Sequence, residues 1–128
     1  MADYFKLRLI GTYSTNSDYS DPIAEFDWSV DETPNEVVVR KVEAVTGGGT
    51  AISVTDLDNP LLYIMVKNRD TTNYVELDYT EGAAGAATPT IRILAGQCAV
   101  ITDIDASSAI TLTANTAAVD CDVVIVAS

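Results

Sequence analysis

Nineteen aspartates and glutamates, two cysteines and no histidine limit the chemistry open to this chain. Asp-x-Asp occurs three times, as Asp56/Asp58, Asp103/Asp105 and Asp120/Asp122. On a strand, positions i and i+2 share a face, so each pair would offer two carboxylates to a hard cation such as calcium. None of the three continues into an EF-hand loop, and calcium needs six or more oxygens gathered from several segments. Solvated charge at strand ends, which discourages edge pairing, is the plainer expectation. Paired acids also serve glycosidases, but among nineteen acids some pairs arise by chance. A serine or cysteine nucleophile needs a base, and histidine is missing, as is a GxSxG elbow. Cys98 and Cys121 fit no CxxC pattern and alternate with Val100 and with Val123 and Ile125, so both are expected to be reduced, small core residues. Gly47-Gly48-Gly49-Thr50 lacks the lysine and following helix of a phosphate loop and is expected at a hairpin tip. The expectation is a protein that is not an enzyme, with no catalytic residue, no metal and no cofactor.

Aromatic residues remain as candidates for recognition. Phe26 and Trp28 could form a sugar-stacking platform, but they share a strand face with Ala24 and Val30, which predicts core anchors. Tyr13 and Tyr19 flank a polar stretch, and Tyr4 and Phe5 lie in the N-terminal stretch; these four are the residues expected to contact a partner or a further subunit.

Several elements must position these residues. The 128-residue chain is 48% hydrophobic and 20% charged, a folded composition of single-domain size. It holds 14 Val, 10 Ile and 15 Thr against 8 Leu, a bias toward strands because branched side chains suit a pleated surface. Alternation or apolar runs mark strands at 4–10, 23–30, 36–45, 50–55, 61–66, 74–79, 90–94, 97–104, 109–114 and 121–127. The three glycines would turn 36–45 back onto 50–55. Turn residues separate the segments and no helix is expected. The fold class is all-β: a single antiparallel β-sandwich over residues 1–128 with about nine or ten short strands, residues 1–12 serving as an extended contact arm or edge strand. A net charge of -12 disfavours nucleic acid and anionic lipid. No eighteen-residue apolar window exists, so no membrane partner is expected, and the first ten residues lack the features of a secretory signal.

The C-terminal half carries a resemblance. Lys67-Asn68-Arg69-Asp70-Thr71-Thr72-Asn73-Tyr74-Val75-Glu76-Leu77, then Ile91-Arg92-Ile93-Leu94-Ala95-Gly96, then Ala114-Asn115-Thr116-Ala117-Ala118-Val119-Asp120 resemble, in that order, small virion proteins of tailed bacteriophages. The resemblance covers residues 60–128 and reads the first motif as a hairpin. It implies a jelly-roll-like sandwich acting as a capsid decoration (cement) protein on the head exterior, assembled in the host cytoplasm. Its partners would be the major capsid protein and further copies of itself. A tail- or fibre-associated module is the alternative, and a calcium- or glycan-binding sandwich a second one. The matched motifs are turns, so no site residue follows from them. Residues 61–66 and 123–126 are apolar on both faces, more than one core needs, which predicts a homo-oligomer, with a trimer suited to capsid threefold positions.

Overall fold

The computed structural model describes residues 4–18, 20, 22–32, 34, 36–54, 57, 61–80, 82, 88–102, 104 and 110–127. It is all-β, with ten strands and no helix among the described residues. The chain clusters into two compact units, residues 1–34 and 35–128.

The first unit is a two-stranded antiparallel ribbon of β1 (Phe5–Ser14) and β2 (Pro22–Glu32). Pairing runs from Phe5 opposite Glu32 to Tyr13 opposite Ala24, with an irregularity at Ser14. Both strands alternate in sequence, and the register brings their apolar positions to the same side.

The second unit is a sandwich of eight strands. These are β3 (Glu36–Ala44), β4 (Thr50–Ile52), β5 (Leu61–Asn68), β6 (Val75–Asp78), β7 (Thr90–Ile93), β8 (Cys98–Ile101), β9 (Ile110–Ala114) and β10 (Val119–Ala127). They form two four-stranded sheets ordered β3-β10-β5-β8 and β4-β9-β6-β7, with every neighbouring pair antiparallel. Two such sheets with repeated crossings between them make a jelly roll. The core joins the facing sides, with Ile64, Val66, Val123 and Ile125 from one sheet against Val75, Leu77, Ile93 and Leu112 from the other.

Two connections expected as hairpins are not hairpins. β3 pairs with β10 and β4 with β9, so the Gly47–Gly49 tract carries the chain from one sheet to the other. Thr50 braces that corner: its hydroxyl donates to the Glu43 carbonyl at 2.7 Å and accepts the Val45 N–H at 3.2 Å. Gly49 has a φ of 74°, and a Cβ there would lie 2.9 Å from the Leu112 carbonyl oxygen, so the corner needs glycine at this position. Likewise β5 and β6 belong to different sheets, and the segment between them is a crossing rather than a hairpin.

Asn68 holds that crossing. Its side chain is fully buried, at 0% exposure. Its Nδ2 donates to the carbonyls of Asn73 at 2.9 Å and Ile93 at 3.1 Å, and its Oδ1 accepts the Asp70 N–H at 2.8 Å. Asp70 in turn accepts the main-chain N–H groups of Thr72 and Asn73, each at 2.7 Å. Thr116, in the turn before β10, donates its hydroxyl to the Asn73 side chain at 2.7 Å. Two of the turn motifs that carry the resemblance therefore interlock at one end of the sandwich.

Candidate interaction surface

The ribbon register decides what its two sides are. Phe5, Leu7, Leu9, Gly11 and Tyr13 of β1 share a side with Phe26, Trp28, Val30 and Glu32 of β2. Lys6, Arg8, Ile10 and Thr12 share the other with Glu25, Asp27, Ser29 and Asp31. On the polar side the Arg8 guanidinium makes two bonds to the Asp27 carboxylate, at 3.2 and 2.9 Å, and Lys6 lies 3.7 Å from Asp31. The Arg8 hydrogen bond holds the Asp27 carboxyl below its usual pKa range, and Arg8 is raised in return. The apolar side carries a single charge, Glu32, at one end.

That apolar side is not a closed core. Phe26 is 63% exposed, Leu9 is exposed, and Leu7, Trp28 and Val30 are half-buried. The expectation that Phe26 and Trp28 anchor the core is thus overturned: neither belongs to the core cluster. Alternation correctly places them on one face, but the face belongs to a ribbon rather than to a sandwich sheet. Gly11 stands opposite Phe26 and brings no side chain across the ring, which leaves the ring open to a partner.

Of the four aromatic contact residues expected from sequence, Phe5 and Tyr13 fall on this side at opposite ends of β1, half-buried and 60% exposed respectively. Tyr4, just before β1, is 82% exposed. Tyr19 lies outside the described residues. Leu7, Leu9 and Val30 complete the surface; Val30 was named by sequence only as sharing the face of Phe26 and Trp28, and Leu7 and Leu9 were not singled out, although the period-two pattern of residues 4–10 was their signal.

Among the described residues no acidic pair assembles a cation site. Asp56/Asp58 and Asp103/Asp105 lie outside the described residues. Asp120 and Asp122 both point away from the core on β10, beside a shallow depression of about 630 Å³ also lined by Lys41, Glu43, Arg69 and Asp70. Arg69 lies 3.4 Å from Asp122, and the described residues contain no group of three or more potential metal ligands. Asp70 is held below the usual carboxylate range by the N–H groups of Asn73 and Thr72, which makes it a turn element rather than a proton donor.

The cysteines divide. Cys121 is buried, and burial, with Asp120 and Asp122 on either side, pushes its thiol up to about 11. Cys98 is exposed, contrary to the core expectation. It pairs with Lys67 and so faces outward, because the alternation of β8 turns Ile101 rather than Cys98 into the core.

Compared with protein-family models, with curated proteins and with solved structures, the chain matches none of them.

Proposed function

We propose that this chain is a non-enzymatic structural protein of a tailed-phage virion, a decoration protein that binds the outer surface of the capsid through its N-terminal ribbon. The supporting observation is the apolar side of the ribbon, charged only at its Glu32 end, where Leu7, Leu9, Phe26, Trp28 and Val30 are partly exposed while the charges of Arg8 and Asp27 are matched on the opposite side. A two-stranded ribbon gains little stability alone in water, so an apolar side of this kind calls for a cover. Aromatic anchors surrounded by aliphatic contacts are the usual core of a protein interface. The interlocked turns of the jelly roll are the segments that resemble phage virion proteins. Jelly rolls host many unrelated functions, so the head assignment rests on that resemblance and the contact assignment on the ribbon.

The test is to add wild-type and L9D/F26D protein to undecorated heads. Both substituted positions are exposed, so the jelly roll should retain its circular dichroism spectrum and melting behaviour. Wild type should saturate the heads and the variant should not. Equal occupancy by the variant would remove the ribbon from the contact. Finding the natural protein only in tails would transfer the whole reading to the tail. A glycan-binding reading draws on the same exposed Phe26 beside Trp28. It predicts that soluble carbohydrate competes with attachment, whereas the capsid reading predicts no competition.

A further inference from the structure

The two sheets differ on their outward sides. On β4-β9-β6-β7 the outward positions run Ala51, Thr111, Asp78, Thr90 and then Thr113, Glu76, Arg92, a polar surface closed by the Arg92–Glu76 pair at 2.8 Å. On β3-β10-β5-β8 the outward positions form cross-strand rows of another kind. One row is Val39, Val124, Met65 and Val100, apolar across all four strands. The next is Lys41, Asp122, Lys67 and Cys98, and beyond it Glu43 and Asp120 stand beside Arg69, whose N–H donates to the Asp120 carbonyl. Val39 is 73% exposed, and Val124, Met65 and Val100 are half-buried. Val126 and Tyr63, one row further the other way, are already buried and offer nothing to a partner.

We propose that this outward face is a self-association surface and that its occupant is the same face of a second copy, related by a twofold axis running along the strands between β10 and β5. The charge arrangement selects both partner and axis. The outward charges of β10 are acidic, Asp120 and Asp122, and those opposite them are basic, Lys67 on the adjacent β5 and Arg69 just after its end. Rotation about an axis midway between these strands preserves the height of each row and exchanges the strands. It sets Asp122 over the second copy's Lys67, Asp120 over its Arg69, and the valine–methionine row over itself. An axis across the strands would instead lay charged rows on apolar ones, an uncompensated burial. Facing sheets aligned within about 30° are an ordinary packing geometry. A chain with a net charge of -12 would otherwise repel its copies, and this face is where acids meet bases rather than acids.

The size sets the strength. Four strands about 4.8 Å apart and three rows about 6.8 Å apart give a footprint of roughly 300–400 Å² per copy. Counted over both copies that is below the roughly 1,000 Å² of a stable interface, so association is expected to be weak and transient, at tens of micromolar rather than nanomolar. The symmetry is twofold, in place of the threefold expected from sequence, because a surface complementary to itself closes as a dimer. The inference stands apart from the capsid reading and is tested without heads.

Sedimentation equilibrium of the full chain from 5 to 200 µM is the experiment. Wild type should move from one-chain to two-chain mass across that range. V39E, at an exposed position, should stay monomeric with an unchanged circular dichroism spectrum. D122K should weaken association at least tenfold by setting like charges over Lys67, and D122K/K67D should restore it because both partners are exchanged together. A wild type that remains monomeric at 200 µM would overturn the proposal. So would a three-chain mass, or V39E dimerising as the wild type does.

Discussion

Replacing Asn68 with leucine should cost the jelly roll a large part of its stability, although it exchanges one polar residue for an apolar one in a fully buried place. Three hydrogen bonds end on that side chain, to the carbonyls of Asn73 and Ile93 and from the N–H of Asp70. Each net bond is worth about 1 kcal/mol, and a buried group left without a partner costs about 1–3 kcal/mol more. The Ile93 bond is wholly buried, while the Asn73 and Asp70 groups are partly buried and recover some hydration. The sum is about 3–5 kcal/mol, against a total of about 5–15 kcal/mol for a domain. With a urea slope of about 1.5 kcal/mol/M the midpoint should fall by about 2–3 M. The assay is urea unfolding followed by far-ultraviolet circular dichroism, which reads the loss of the strands directly. N68D serves as the shape control. It keeps the acceptor but turns a second oxygen toward two carbonyls, so it should destabilise at least as much as leucine. A loss below about 1 kcal/mol in both variants would refute the claim that these bonds hold the β5–β6 crossing.

Gly49→Ala should destabilise by about 2 kcal/mol or more, because it combines a positive φ with a Cβ pressed against the Leu112 carbonyl, whereas Gly48→Ala meets open space and should change the urea midpoint little. A thiol reagent at about pH 8 should modify one cysteine of the folded protein, Cys98, and reach Cys121 only on unfolding, since the Cys121 thiol is buried and its pKa stands at about 11; peptide mass mapping identifies the modified residue. Acid should remove a stabilising contribution from Asp70. Its folded pKa is lowered, so the unfolded chain binds more protons, and the contribution is complete above the unfolded value of about 4 and is lost as pH falls below it. Asp70→Asn should therefore be less stable than wild type at about pH 7 and nearly equal to it at about pH 2.5, as read from urea midpoints at the two pH values.

The strands themselves were legible in the sequence, because alternation and β-branched runs are local properties of the chain. Residues 36–45 were expected as a strand and β3 is Glu36–Ala44; residues 109–114 were expected and β9 is Ile110–Ala114. The all-β class, the antiparallel sandwich and the outward placement of Asp120 and Asp122 follow from the same local signal. Partner choice does not. The glycine tract after β3 and the turn after β5 permit a hairpin or a crossing between sheets equally well, and contacts between distant segments decided for the crossing: β10 takes the place beside β3, and β9 the place beside β4. Asn68 looked like an ordinary turn residue, since its burial depends on Ile93, twenty-five positions away, arriving beside it. Alternation also reports which residues share a face without reporting what that face meets. Cys98 shares a face with Val100, and Phe26 shares one with Trp28; in both cases apolar neighbours suggested the core, and in both the tertiary arrangement turned the shared face outward or onto an open ribbon. The period-two repeat of a strand is symmetric between its two sides, and only the position of the second sheet breaks that symmetry.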